Sequence, residues 1–358
     1  MERIIGLLDL DYFYAQCEVV RNPSLKEKPI VIVMPSIREN SGVIATCNYE
    51  ARALKIKSGM SLNLAKKLAN SSTIFINADK SYYEEVSIKV FEVVDYFCEK
   101  VEQVSIDEAY FDLSSHFGYD KAQEVALKIK HRIKSELGLT CSIGIGPNKL
   151  IAKMASLIKK PDGLFVVYSN QVNSFLLKHK VGDLIGVGEK TEEEFKRHGV
   201  VNISDIHKFE KIDLISWFGE TLGSKFYEYS FGIDSRVVES NREKQQLSRL
   251  MTIREDSNDF DVVVLNVDFL VDLLYKKILY FNKRFRTISL IIVTDKMDTI
   301  TKSRTKSADI SSVDELKEVS RDLLRSFLNE STIYVRRIGV RVSNFEENSG
   351  FQKKLFDY

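Results

Sequence analysis

Asp107 and Glu108 are adjacent acids at the join of two runs with strand character, Val101–Ser105 and Ala109–Leu113, within V-E-Q-V-S-I-D-E-A-Y-F-D-L-S. The first apolar run of the chain, Ile4–Leu10, also ends on acids, Asp9 and Asp11. Carboxylates are costly to bring together unless something positive lies between them. A hard divalent cation does this well, and Mg²⁺ prefers carboxylate oxygen. Two acidic strand ends from distant parts of the chain therefore point to one shared metal site. Taken alone, S-I-D-E reads equally well as a polar hairpin turn, so the elements around it have to decide.

A chain of 358 residues is long for one core and suggests two to four domains. Its apolar and charged fractions, 44% and 29%, are those of a soluble globular protein. The formal net charge is +1, so affinity for an acidic partner has to come from local basic patches. Cys17, Cys47, Cys98 and Cys141 are scattered, with no C-x-x-C and no zinc-like histidine spacing, which fits reduced thiols. There is no signal-peptide core and no apolar run long enough to cross a bilayer, so the expectation is a cytoplasmic protein without a membrane partner. No long apolar stripe is left uncovered, and a monomer is expected. All five prolines lie at or before Pro161, as do the cysteines, which hints at a boundary soon after.

Ile4–Leu10, Lys28–Met34 and Val43–Thr46 read as strands, and C-N-Y-E-A-R-A-L-K as a helix start followed by a short helix at Ser61–Ala69. Asp79–Lys100 is a long amphipathic helix with Tyr83, Val86, Val90, Val93 and Phe97 on one face. After the acidic hairpin come a helix at Tyr119–Leu137, a strand at Thr140–Gly146, a helix at Asn148–Lys160 and a strand at Leu164–Tyr168. This alternation gives a sheet backed by helices. Residues 1–18 and 79–168 form one ferredoxin-like β-α-β-β-α-β core, with 19–78 inserted after its first strand; the class is multidomain α+β.

Residues 169–233 read as all-helical. They contain V-G-D-L-I-G-V-G-E-K-T, in which Gly186 and Gly188 fit a helix-hairpin-helix that brings backbone N–H groups to a nucleic-acid phosphate. A plain tight helix–helix turn reads equally well. Asp234–Gln246 is polar without periodicity and reads as a linker. Residues 247–344 repeat the strand–helix–strand–strand–helix–strand order without acidic strand ends. Basic residues mark these strands: Arg249, Arg254, Lys302, Arg304, Lys306, Arg336, Arg337 and Arg341. Alternation puts several on one open face, a phosphate-tracking surface; for any one of them, ordinary solubilising charge is the competing reading.

Four motifs occur in order: D-L-D-Y-F-Y-A-Q-C-E-V-V-R-N-P-S-L, I-A-T-C-N-Y-E-A-R, V-S-I-D-E-A-Y-F-D-L-S and G-I-G-P-N-K-L-I-A-K-M-A-S-L-I-K-K-P-D-G. Over nearly the whole length the chain resembles the Y-family translesion DNA polymerases, most closely the archaeal polymerase IV (DinB) branch. The resemblance implies a palm at 1–18 and 79–168, fingers at 19–78, a thumb at 169–233, a linker at 234–246 and a little finger at 247–344 that grips duplex DNA. It implies that Asp9, Asp107 and Glu108, with the backbone carbonyl of Leu10, hold two Mg²⁺ ions, and that Asp11 is a supporting acid behind them. Thr46, Tyr49, Arg52 and Lys160 would bind the phosphates of a dNTP, and Tyr14 would be the steric gate against a ribose 2′-hydroxyl. Tyr12 and Phe13 read as core packing or as substrate contacts. The tail 345–358 carries Gln352, Leu355, Phe356 and Tyr358, which resemble a sliding-clamp-binding peptide.

The implied activity is template-directed, two-metal addition of dNTPs to a primer 3′-hydroxyl. The short fingers, with small residues near the templating base, imply low fidelity and bypass of damaged bases, and no segment remains for a proofreading exonuclease. A nucleotidyl cyclase would share the core and its acids but needs neither the helix-hairpin-helix nor a basic second sheet. A non-catalytic DNA-binding module would explain those two features but not the paired acidic strand ends.

Overall fold

The computed structural model describes residues 2–38, 41–116, 118–240, 245–281, 283–310 and 312–347. The chain divides into two compact units: Met1–Met34, Ile44–Met60 and Leu64–Arg242 in one, and Pro35–Val43, Ser61–Asn63 and Glu243–Tyr358 in the other.

The chain opens on β1 (Ile5–Leu10) and turns into α1 (Phe13–Arg21). The insertion follows: β2 (Ile30–Pro35), β3 (Gly42–Cys47), α2 (Tyr49–Ala53), α3 (Leu62–Leu68) and β4 (Ile74–Asn77), whose strands form a small sheet in the order β3-β2-β4. The strand at Ile74–Asn77 has no counterpart in the sequence reading, because four residues are too few to show a period. Then come α4 (Lys80–Phe97), β5 (Val101–Gln103), β6 (Glu108–Asp112), α5 (Tyr119–Leu137), β7 (Cys141–Gly146), α6 (Lys149–Ile158) and β8 (Leu164–Val166). The strands form a five-stranded sheet in the order β5-β6-β1-β7-β8, with β1 central and antiparallel to both β6 and β7.

The side-chain period of two divides this sheet cleanly. Leu8, Leu10, Ala109, Phe111, Ile143 and Ile145 face one way and join Val90, Val94, Ile129 and Ile133 of α4 and α5. Ile5, Leu7 and Tyr110 face the other way, toward Ala152 of α6. Asp9 has the parity of Ile5 and Leu7, and Glu108 that of Tyr110, so both acids fall on the α6 side of the sheet.

Glycine sets how close α6 comes. Gly144 and Gly146 of S-I-G-I-G pair with Leu7 and Ile5 and face α6, while Ile143 and Ile145 face the opposite core. A Cβ on Gly144 would lie 2.1 Å from the Ala152 carbonyl oxygen and 2.2 Å from the Ser156 nitrogen, both backbone atoms. Gly144→Ala therefore pushes the whole helix outward. The expected loss of stability is about 3 kcal/mol, the upper end of overpacking costs. A urea midpoint equal to wild type would show that the helix can yield without cost.

α7 (Val172–Leu176), α8 (Glu189–Arg197), α9 (Ile203–Ile206) and α10 (Lys211–Ser230) follow and close a core around Leu176, Leu184, Phe195, Ile203 and Phe226 that also takes in Leu150, Ile151 and Met154 of α6. The segment read as a linker is held in its first half. Asp234 accepts from the Leu150 N–H at 3.0 Å at the start of α6, Val238 is buried against Ile5 and Leu7, and the Glu239 N–H donates to Glu102 at 2.8 Å. Glu102 also pairs with Lys149, both nearly inaccessible to solvent. Polar composition reads as linker because it does not reveal that Asp234 and the Glu239 N–H have buried partners elsewhere in the chain.

The second unit is built from β9 (Gln246–Ser257), α11 (Phe260–Phe281), β10 (Lys283–Thr294), β11 (Thr299–Thr305), α12 (Val313–Glu330) and β12 (Val335–Glu347). Its antiparallel sheet has the order β11-β10-β12-β9, and α11 and α12 pack on one face. β12 runs through Glu347, so residues 345–347 of the expected tail are strand. Gln352, Leu355, Phe356 and Tyr358 lie outside the described residues.

Candidate active site

Asp9 and Glu108 are register partners across the β1–β6 pair. Lys153 of α6 reaches between them: its Nζ lies 3.1 Å from Asp9 Oδ2 and bonds to Glu108 Oε2. Lys160, two residues beyond α6, bonds to the other Asp9 oxygen, Oδ1. Burial pushes the Glu108 carboxyl up, against the pull of Lys153. Burial also opposes the Lys153 ammonium, yet the Asp9 and Glu108 carboxylates hold its pKa above the ordinary lysine value. Asp107 is half-buried; its carboxylate accepts from Ser105 Oγ at 2.6 Å, and its carbonyl accepts from the Leu10 N–H at 2.9 Å. Among the described residues no three carboxylate, imidazole or thiol groups converge closely enough to hold a metal ion by themselves. The Asp9–Glu108 pair nonetheless has the donor chemistry of such a site: hard oxygens facing each other across two strands, kept together by positive charge. With Asp107 next in sequence to Glu108, these carboxylates could hold a hard divalent cation.

Asp11 sits behind this pair, fully buried. Its carboxylate accepts from Thr140 Oγ1 at 2.9 Å, Ser142 Oγ at 2.7 Å and the Asp162 N–H at 2.8 Å. The last bond fixes the K-P-D-G turn that carries Lys160; Lys130 and Lys134 hold the Asp162 side chain from outside, at 2.7 and 2.8 Å. Asp11→Ala takes the acceptor from the Ser142 hydroxyl and the Asp162 N–H, while Thr140 Oγ1 keeps Gln16 Oε1 at 3.2 Å. The expected cost is about 3 kcal/mol or more, with Asp11→Asn recovering part of it. Equal urea midpoints for Asp11→Ala and wild type would contradict this.

The turn from β1 into α1 passes through Tyr12, whose left-handed backbone (φ 35°, ψ 47°) is unusual for an aromatic residue. Its carbonyl accepts from the Ala15 N–H at 2.9 Å and the Gln16 N–H at 3.2 Å, which fixes the bend. Phe13 is thereby buried, and the Tyr14 ring stacks on Tyr83 at 4.3 Å with 15° between planes. Burial raises the Tyr14 hydroxyl pKa, and the charge of Asp107 adds to it, which places this ring in the field of the acids. The Tyr12 ring meets Tyr49 edge-on at 5.3 Å. Tyr49 and Arg52 stand on α2, which starts where the Asn48 side chain accepts from the Ala51 N–H at 3.1 Å. Arg52 lies over the Tyr49 ring at 4.9 Å, and its Nε donates to the Cys47 carbonyl at 3.2 Å. Burial and then Asp11 raise the Tyr49 hydroxyl pKa. Thr46 is half-buried on β3, three residues before Tyr49.

In the helical region Gly186 takes a φ of +92°, open to glycine and strained for other residues, and Gly188 caps the start of α8. A Cβ on Gly188 would meet nothing within 4 Å, so the backbone there is open to close approach.

The basic residues of the second sheet do not share one face. Ile338, Val340 and Val342 point into the helix-covered core, so Arg337 and Arg341 point away from it, beside Ser289 and Ser303. Arg249 has the parity of Leu247 and Ile253 and pairs with Val340, which turns it to the helix side. Lys302 and Arg304 share the parity of Ile300 and pair with Glu330 at 2.6 Å and Asp322 at 3.1 Å, both on α12. Arg336 falls at an irregularity in β12 and lies 3.4 Å from Asp256. The expectation of several basic residues on one open face therefore narrows to Arg337, Arg341 and, by its place next to buried Ile253 in β9, Arg254. The parity signal was present in the sequence, since Leu247, Arg249, Met251 and Ile253 alternate together.

Lys153 is the residue the sequence reading missed, although it lies inside a quoted motif. The available signal was a lysine among apolar neighbours in L-I-A-K-M-A-S-L-I, on a helix whose other residues are mostly buried.

The impB/mucB/samB family model matches residues 8–157, its C-terminal domain matches 244–355, and the DNA polymerase-iota thumb domain matches 182–234. DNA polymerase IV 1 of Methanosarcina mazei is 38% identical over 366 residues, covering 100% of both chains. DNA polymerase IV of Nitrosopumilus maritimus is 36% identical, covering 99% of both. Among solved structures, a Y-family DNA polymerase chimera, Dbh-Dpo4(243-245)-Dbh, has a TM-score of 0.91 at 30% identity, covering 96% of this chain and 100% of that one. An insertion ternary complex of Dbh DNA polymerase has a TM-score of 0.71 at 31% identity with the same coverage. With the acidic strand pair in its βαββαβ sheet, the helical module after it and the second βαββαβ unit, this chain belongs to the DNA polymerase IV (DinB) branch of the Y-family and is a DNA-directed DNA polymerase.

Proposed function

We propose that this chain extends a DNA primer by nucleotidyl transfer at the Asp9–Glu108 strand pair, with low fidelity and across damaged template bases. The observation that carries the reading is the convergence of Asp9, Glu108 and Lys160 on one side of the sheet, with Tyr14 in the field of Asp107 and Tyr49 in that of Asp9 and Asp11. Asp9, Asp107, Glu108 and the Leu10 carbonyl would hold two Mg²⁺ ions. When bound, these supply an acidified primer 3′-hydroxyl and neutralise charge on the triphosphate and the departing pyrophosphate.

The rest falls to the chain's own side chains. Lys160 is held on Asp9 and, with Arg52, offers positive charge to the phosphates as charge builds up in transfer. Tyr49 and Thr46 offer hydroxyl donors to the same groups. The Tyr14 ring, braced by Tyr83, forms the wall under the sugar. Gly186 and Gly188 would let backbone N–H groups meet one phosphate backbone, and Arg337 and Arg341 another. Primer–template DNA and a dNTP are thus the partners. Extension without proofreading and clamp binding through the segment after Glu347 complete the proposal. Supplying one dNTP at a time to a primer–template with Mg²⁺ tests the core of it: only the complementary dNTP should extend the primer efficiently. Failure of all four, with DNA binding intact, would overturn the reading.

A further inference from the structure

The Asp9–Glu108 pair has four carboxylate oxygens, and two ammonium groups already occupy three of them. Lys153 takes Asp9 Oδ2 and Glu108 Oε2, and Lys160 takes Asp9 Oδ1. A divalent cation would need these same oxygens, so its entry and the lysine contacts compete directly. Two ammoniums also cancel the charge of the two carboxylates, so Asp107 beside them is left as the acid that attracts a dication. The lysines differ in how they are held. Lys160 lies beyond the end of α6, in a turn where its ammonium can move to a phosphate. Lys153 is part of α6, which glycine contacts press against the sheet and which is fixed at its first residue by the buried Lys149–Glu102 pair. Its ammonium can leave the pair only by rotation of its own side chain.

We propose that Lys153 is a positioning residue that competes with the divalent cation for Asp9 and Glu108 and so makes cation occupancy conditional on the bound triphosphate. The triphosphate draws Lys160 off Asp9 and supplies the negative charge that a dication requires, which tips the competition. Without nucleotide, Lys153 keeps the carboxylates closed on an ammonium. This inference rests on the reading of Asp9 and Glu108 as cation ligands.

The test uses Mn²⁺ as the probe and the full chain without DNA, with free Mn²⁺ followed by electron paramagnetic resonance. Wild type and Lys153→Arg, which keeps the charge, are expected to bind Mn²⁺ weakly. Lys153→Met, which keeps the length and removes the charge, is expected to bind at least tenfold more tightly, and adding Asp9→Asn should abolish that gain. With a non-hydrolysable dNTP analogue the gap between Lys153→Met and wild type should close to within about threefold. Lys153→Gln serves as the charge-free variant if circular dichroism shows that Lys153→Met does not fold. The inference is overturned if the charge-free variant binds Mn²⁺ no more tightly than wild type while the analogue raises uptake by wild type beyond what the analogue binds alone. In that case the ligand reading stands. If Asp9→Asn changes Mn²⁺ binding under none of these conditions, the ligand reading itself fails and the inference with it.

Discussion

Asp107→Ala is expected to slow nucleotide incorporation by about 10³-fold or more, the rate equivalent of several kcal/mol of lost charge stabilisation. It isolates chemistry from folding better than any other acid of the site. The Asp107 side chain is half-buried and accepts one hydrogen bond, from Ser105 Oγ, so its truncation should cost about 1 kcal/mol or less. Removing Asp9 instead would take the carboxylate from Lys160 and one of two from Lys153, and removing Glu108 would leave Lys153 only Asp9, so both would mix a stability loss into the rate. Single-turnover incorporation, read beside primer–template affinity, separates the effects: the rate collapses and the affinity stays within about threefold. A loss of less than about tenfold would remove Asp107 from the reaction.

Tyr14→Ala should produce the second large effect, on sugar selection. The Tyr14 ring is not free to swing, because it stacks on Tyr83, whose hydroxyl is tied to Glu18 at 2.8 Å. A fixed ring rejects a 2′-hydroxyl by collision, and a repulsive wall of this kind discriminates more strongly than a missing contact. The ratio of kcat/KM for a dNTP over the matching rNTP is expected to fall by about 10²-fold or more. Tyr14→Phe keeps the ring and should keep the selectivity. Loss of the stack costs about 1 kcal/mol, so the alanine variant should remain folded. An unchanged ratio would place the sugar elsewhere.

Much of the architecture was legible because its signals are local. Alternating apolar runs and amphipathic stretches located β1, α4, α5, β7 and α6 to within a few residues, and acids at the ends of two apolar runs flagged Asp9, Asp107 and Glu108. What sequence did not show depends on register and on partners far away in the chain. That Asp9 lies opposite Glu108 follows from strand pairing, and that both face α6 follows from parity relative to Gly144 and Gly146. Lys153 looked like one more basic residue until a helix placed it over the carboxylates. Asp11, which the resemblance already set behind the metal acids as a supporting acid, accepts from Thr140, Ser142 and Asp162, partners that only the fold brings to it. The basic residues of the second sheet were misread for a different reason. Alternation was weighed, but not which parity the buried residues of each strand take, and that parity puts Arg249, Lys302 and Arg304 on the helix side.

The most direct test of the central claim is extension of a primer past an abasic site, with purified protein, Mg²⁺ and dNTPs, beside an undamaged template and Asp107→Ala. The account predicts that wild type extends both templates and that Asp107→Ala extends neither while still binding the DNA. Extension of neither template by wild-type protein that binds primer–template would contradict it, and the acidic strand pair would then need another chemistry.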